Sequence, residues 1–274
     1  MILSTKGAEL YYSTRGHGPT CVVLSCIGTK PYEYQLPPAA LTDRLRLVYV
    51  DLRGSGRSTG EPTDLTFDVL AEDLEAIRVE LGVERVAVLG HSILGALAIE
   101  YSRRCPESVS HAILVGTPPR GDMALLSTKA TSFFEEDASD ERKQLQRDNL
   151  AKLPPGASSI QVILAQTPQR FFDARFDPAP LFAEAEVKLP FLAHLMGTLA
   201  PAWDITVGSS SLRSPIFIAH GRHDYTVPYV LWESVAPTLP RATLQIFEQS
   251  GHQPFFEEPD RFASSLATWM SNHS

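Results

Sequence analysis

Three cysteines, Cys21, Cys26 and Cys105, are all that 274 residues contain. So small and odd a number cannot build a disulfide framework, which excludes the small secreted scaffolds stapled by bridges. No apolar run approaches the roughly 20 residues that span a bilayer. The N-terminal stretch Met1-Ile2-Leu3-Ser4-Thr5-Lys6 lacks the basic and apolar regions of a secretory signal. Positive charge is short too: 24 Lys and Arg stand against 32 Asp and Glu, a formal charge of −8. That balance argues against nucleic acid or an anionic membrane as a partner. Neither internal repeats nor low-complexity tracts are found, and the expectation is a soluble, cytoplasmic protein acting on a small molecule.

What is present can build a core: 43% of the residues are hydrophobic and 20% charged. Short apolar runs read as strands at residues 8–14, 20–26, 45–51, 86–89 and 109–116. Between them the period changes. Phe67, Leu70, Ala71, Leu74, Ile77 and Leu81 fall at helical spacing, with Thr66 as N-cap and Gly82 as the stop. A second helix is expected over 93–104, ended by Pro106. Strand–helix alternation of this kind predicts a mainly parallel sheet with helices on both faces. The alternation stops from residue 118 to about 210, where helical stretches are separated by prolines (Pro154, Pro155, Pro168, Pro178, Pro180, Pro190, Pro201), and resumes with strands at 215–219 and 243–247, a helix near 228–236 and a last helix from about 259. The organisation expected is one core domain, residues 1–118 and 211–274, interrupted by a helical insertion at 119–210.

One turn carries the first chemical signal. Gly90-His91-Ser92-Ile93-Leu94-Gly95 lies between a strand and a helix. A serine on such a turn has its hydroxyl exposed above the sheet edge, next to a helix N-terminus that favours developing negative charge. Leu94 stands where the usual pattern has its second glycine, and Gly95 follows one residue late. A serine hydroxyl needs a base. Of eight histidines, His252 is best placed, in the loop Ser250-Gly251-His252-Gln253-Pro254 after the last strand. His91 adjoins the serine, but consecutive residues at a tight turn diverge, and His111 sits inside a strand pattern. The base needs an acid to fix its tautomer. Asp224, in His220-Gly221-Arg222-His223-Asp224, also follows a strand. The chain order Ser92, Asp224, His252 is one of the orders known for a serine triad. A metal site on His220, His223 and Asp224 finds no further clustered ligands, and neither metal nor cofactor is expected.

These residues resemble those of the α/β-hydrolase superfamily. The likeness rests on Gly-His-Ser at 90–92, Asp51-Leu52-Arg53-Gly54-Ser55-Gly56-Arg57-Ser58, Gly221-Arg222-His223-Asp224, and Gly251-His252-Gln253-Pro254-Phe255 followed by Glu258-Pro259. It covers roughly residues 8–118 and 212–272, and the 51–58 stretch is similar to that of the esterase, cofactor-free haloperoxidase and prolyl aminopeptidase branches. The resemblance implies an eight-stranded, mostly parallel sheet with a helical cap inserted after the sixth strand. It implies Ser92 as nucleophile, Asp224 as acid and His252 as base. Where the family has His-Gly before its oxyanion loop, this chain reads Ser25-Cys26-Ile27-Gly28-Thr29. By position the oxyanion amides are those of Ile27 and Ile93, with Cys26 and Gly28 as the alternatives one residue away.

In the insertion, Phe133, Phe134, Phe171, Phe172, Phe176, Phe182, Phe191, Met196 and Trp203 are expected to be mostly cap core, with two or three lining a pocket for a neutral, apolar, medium-sized substrate. The acidic run Glu135-Glu136-Asp137 reads as a solvated helix end or as an anchor for a substrate ammonium. The leading expectation is hydrolysis of a carboxylic ester or lactone. The alternatives are a prolyl aminopeptidase-like peptidase, the same triad used for acyl transfer, carbon–carbon cleavage or cyclisation, and a non-catalytic receptor on this fold. The sequence leaves the oligomeric state open.

Overall fold

The computed structural model describes residues 1–36 and 39–273, without the side chains of residues 39 and 40. Eight strands form one sheet: β1 (Ile2–Thr5), β2 (Ala8–Arg15), β3 (Thr20–Ser25), β4 (Arg46–Asp51), β5 (Val86–His91), β6 (Val109–Val115), β7 (Ile216–Gly221) and β8 (Ala242–Phe247). Their order is β1-β2-β4-β3-β5-β6-β7-β8. The pairs β1–β2 and β2–β4 are antiparallel and the other five are parallel. The expected mostly parallel sheet of eight strands is what the chain forms.

The two faces follow from the two-residue period of a strand. Val22, Leu24, Val48, Val50, Val86 and Val88 point into one core, with Leu70, Leu74 and Ile77 of the helix Phe67–Glu80 and Leu97 of the helix Leu94–Arg104. Cys21, Val23, Leu47, Tyr49, Ala87 and Leu89 point into the other, against Phe262, Leu266 and Trp269 of the helix Pro259–Asn272. Central strands buried on both faces therefore read as continuous apolar runs. Thr66 caps its helix by accepting from the Val69 amide at 3.2 Å, and Gly82 follows the C-cap at φ +65°.

Three elements depart from expectation. β1 was not anticipated. It is a four-residue edge strand, half exposed, with too few side chains to display a period. The helix Thr29–Gln35 carries Pro31 and no side-chain cap, so its sequence lacks a start signal. The helix after Ser92 begins at Leu94, one residue later than expected.

Between β6 and β7 the chain forms helices of 4 to 15 residues: Met123–Asp137, Asp140–Ala151, Ser159–Ala165, Thr167–Arg170 and Leu189–His194, the last continuing into a π-helical turn, Leu195–Leu199. Phe191, Leu195, Leu199 and Trp203 pack into the main core. Phe171, Leu181 and Phe182 form a small cluster of their own, as do Phe134, Ala138 and Tyr225.

Candidate active site

β3 lies between β4 and β5, so the connections leaving β3 and β5 diverge. In an open α/β sheet that divergence opens a crevice at the carboxyl ends of the strands, where ligands bind. Residues 25–28 leave β3 on one side of it, and residues 91–94 leave β5 on the other. Ser92 sits here with φ +56°, the one non-glycine residue at positive φ among those described. A left-handed conformation costs a serine roughly 1–2 kcal/mol, so its surroundings must enforce it. The Ser92 amide donates to Val115 O at 2.8 Å, and its carbonyl accepts from the Gly95 amide at 3.1 Å.

The displaced glycine of the motif has a physical reason. A Cβ at Gly95 would lie 2.1 Å from Thr117 Oγ1, and one at Gly90 would lie 2.3 Å from Leu94 O. The helix therefore approaches the end of β6 through position 95. Position 94 faces the site, and Leu94 there lines the cavity. The sharp turn survives the departure from the usual spacing.

Asp224 and His252 come together: His252 Nδ1–H donates to Asp224 Oδ2 at 2.6 Å, both side chains being buried. The other carboxylate oxygen, Oδ1, accepts from Thr226 N at 2.9 Å, Thr226 Oγ1 at 2.7 Å and Val227 N at 2.9 Å. Burial alone would raise the Asp224 carboxyl, but the His252 imidazole and the Val227 amide outweigh it and hold the group below the usual carboxylate range.

His252 follows β8, three strands from β5 in the sheet, so its loop must be held across the gap. Two contacts do this. The His252 amide donates to Arg170 O at 2.6 Å, and its carbonyl accepts from His91 Nε2 at 2.9 Å. His91 Nδ1 in turn accepts from the Tyr32 hydroxyl at 3.2 Å, and its ring packs 4.7 Å from that of His252. Burial, then the neighbouring His252, push His91 well below the ordinary histidine value. It is therefore a neutral imidazole with its proton on Nε2, a buttress for His252.

A cavity of about 310 Å³ lies over these groups. Its floor carries Ser92, His252, Ile27 and Ile93. Its roof, from the segment between β6 and β7, carries Met123, Leu126, Ile160, Ile163, Phe182, Val187, Leu192, Leu195 and Met196. Among the described residues the Ile27 and Ile93 amides donate to no protein acceptor. The Ile27 carbonyl accepts from Glu186 N at 2.7 Å, which ties the roof to this loop. Burial pushes the Cys26 thiol up to about 12, so it offers no thiolate.

This geometry has relatives. The profile of the alpha/beta hydrolase fold matches residues 22–259. The chain belongs to the α/β hydrolase family. It is a hydrolase of that family and is similar, at 31% identity over 98% of both chains, to the AB hydrolase superfamily protein YclE of Bacillus subtilis (strain 168). It is 28% identical to a pimeloyl-acyl-carrier-protein methyl ester esterase of Nitrosomonas europaea, over 94% of this chain and 98% of that one. The proline iminopeptidase of Mycobacterium smegmatis superposes with a TM-score of 0.75 at 21% identity, covering 100% of this chain and 98% of that one, a likeness of fold.

In this α/β hydrolase the loop 51–58 is structural. Arg53 pairs with Asp73 through Nε at 2.9 Å and Nη2 at 2.6 Å. Arg57 pairs with Glu186 of the roof at 2.9 Å. His220 is buried, its Nε2 against Thr117 O at 3.1 Å. Of the aromatic and methionine residues singled out in the insertion, Phe182 and Met196 line the cavity. The acidic run is a helix end: Glu135 and Glu136 are exposed, and Asp137 accepts from the Tyr225 hydroxyl at 2.8 Å. Arg170 also lines the cavity, a charged residue beside the apolar side chains expected there. Sequence reasoning also missed Tyr32, Glu257 and Thr226. Thr226 had a signal, since an Asp-x-Thr turn often closes on the aspartate. Tyr32, Arg170 and Glu257 had none.

Proposed function

We propose that the protein is a serine hydrolase of carboxylic esters or lactones, with Ser92 as nucleophile, His252 as base and Asp224 as its orienting acid. The observation that carries the reading is the buried His252–Asp224 hydrogen bond facing the cavity that Ser92 enters on its left-handed turn. The name of the Nitrosomonas relative, a methyl ester esterase, supports the ester class.

Asp224 accepts the Nδ1 proton and so fixes the tautomer that leaves His252 Nε2 free to take the Ser92 proton. Ser92 Oγ attacks the substrate carbonyl. The oxyanion rests on the Ile27 and Ile93 amides, which have no protein acceptor among the described residues. Each such donor contributes about 3 kcal/mol to the transition state. The imidazolium then protonates the leaving alkoxide, and water repeats the sequence on the acyl-enzyme. The segment between β6 and β7 acts as a cap whose apolar side chains select the substrate.

The test is labelling of Ser92 by a fluorophosphonate together with a panel of short-chain aryl esters, lactones and aminoacyl arylamides. The reading predicts labelling, and ester turnover that Ser92→Ala abolishes. A chain that takes no label and turns over no ester would remove it. The aminopeptidase reading loses support, because its proposed ammonium anchors, Glu135 and Glu136, are exposed rather than in the cavity.

A further inference from the structure

Histidines apart, Arg170 is the one formally charged side chain among the described residues lining the catalytic cavity. It ends the short helix Thr167–Arg170, and its carbonyl holds the His252 amide. Its side chain donates once, from Nε to Gln166 Oε1 at 3.1 Å. Among the described residues neither Nη group has a protein acceptor, and no carboxylate forms an ion pair with this guanidinium.

Several other arginines are fully engaged. Arg53, Arg57, Arg104 and Arg222 each face a carboxylate. Arg142 donates to the carbonyls of Pro168, Phe171 and Phe172. The carboxylate whose field reaches Arg170 is Asp224. Both Asp224 oxygens are already engaged, one by His252 and the other by Thr226 and Val227. Burial also weakens the Arg170 cation relative to water, although a guanidinium stays protonated in proteins. Arg170 is half-buried, and a cation drawn partly out of water with two donor groups lacking protein acceptors favours an anion that completes it. Its planar fork matches a carboxylate, which it binds through two parallel hydrogen bonds. Gln253 adds a second polar group at the same wall: it is 3% exposed, and its Oε1 has no partner. The remaining lining is largely apolar, and about 310 Å³ lies at the small end of ligand sites.

We propose that Arg170 is the anion-binding residue of this cavity, so that the substrate carries a carboxylate besides its scissile ester or lactone bond. The inference rests on the hydrolase reading for the word substrate, but the anion site can be tested without turnover.

Calorimetry on the Ser92→Ala chain, with 4-phenylbutyrate and its neutral counterpart 4-phenylbutanamide, reads the preference directly. The acid should bind at least tenfold more tightly. Arg170→Gln, made in the same background, should erase that ratio, and Arg170→Lys should keep part of it. An absent preference in the Ser92→Ala chain overturns the proposal with no Arg170 variant needed. A preference that persists in Arg170→Gln places the anion elsewhere, at the Ile27 and Ile93 amides, and overturns it too. Equal weakening of acid and amide makes Arg170 a structural support of the His252 loop and has the same consequence. Kinetics separate this idea from the reading it rests on. Ser92-dependent hydrolysis of monomethyl adipate and methyl hexanoate at similar kcat/KM would leave the hydrolase and remove the anion site. Tight acid binding with turnover of neither ester would do the reverse.

Discussion

The floor and the roof of the cavity are held by different forces. On the floor, hydrogen bonds over-determine each group proposed to react. Asp224 Oδ1 accepts three of them, the His252 backbone is gripped at both its amide and its carbonyl, and Ser92 is clamped between Val115 O and Gly95 N. The roof is mostly aliphatic and methionine side chains, held by packing that has no preferred direction. Directional contacts fix atoms to the tolerance that proton transfer needs, whereas packing tolerates exchange of one apolar group for another of similar volume. The floor should therefore respond steeply to small chemical changes and the roof gently.

Ser92→Ala is the largest break. It should lower kcat by about 10⁴–10⁶-fold, as removal of a triad serine does elsewhere. It should leave the urea midpoint unchanged, because alanine inherits the same left-handed turn. Ser92→Gly should be as inactive but more stable by about 1 kcal/mol, since glycine adopts that conformation freely. If the glycine variant proves less stable than the alanine one, the turn is not strained. Asp224→Asn comes next, at about 10³–10⁴-fold in kcat. Three donors face Oδ1, so the asparagine must keep its carbonyl oxygen there. Its NH₂ group then points at His252 Nδ1 and donates to it. The imidazole proton is forced onto Nε2, where it blocks the Ser92 proton. Kinetics on an aryl ester give the size of the loss. Fluorophosphonate labelling of Asp224→Asn should slow in proportion.

His91 tests the buttress rather than the relay. His91→Phe keeps the edge contact to Phe255 but removes the donor to His252 O. Losing one buried hydrogen bond of about 1–2 kcal/mol corresponds to roughly a tenfold fall in kcat. KM on a small ester should move less. A loss as large as that of Asp224→Asn would mean that His91 takes part in the proton transfer.

The same contrast explains what the sequence disclosed. The floor was readable because each group proposed to react follows a strand whose apolar period announces it: Ser92 after β5, Asp224 after β7, His252 after β8. Turn chemistry marks the sites, through Gly-His-Ser and the glycines before Asp224 and His252. The buttress was not readable, because Tyr32 lies on a short helix that Pro31 disguises, and His91 became a partner of His252 only through a contact 161 residues away. The roof was legible as helical and apolar. Its division of labour was not. Phe182 and Met196 reach the cavity while Phe191 and Trp203 sink into the main core, and no period distinguishes these from one another. Arg170 looked like any other polar residue of a helical stretch, since the absence of a partner is a property of space rather than of spacing.

Glu257 joins the two halves and gives the gentlest test of their difference. Its Oε1 accepts from Phe172 N of the roof at 2.6 Å, and its Oε2 accepts from Gly251 N, beside His252, at 2.8 Å. Burial raises its carboxyl from 4.5 to about 8 against the opposing pull of these amides. The folded chain then keeps a proton that the unfolded chain releases above about 4.5. That contribution to stability is fully present below 4.5 and is lost as pH rises through about 8. Glu257→Gln cannot ionise and should remove the dependence. Urea midpoints of both chains at pH 5, 7 and 9 should therefore diverge, with wild type falling relative to the variant as pH rises. Parallel curves would mean that the folded carboxylate is ionised throughout and that the clasp between roof and floor is a charged one.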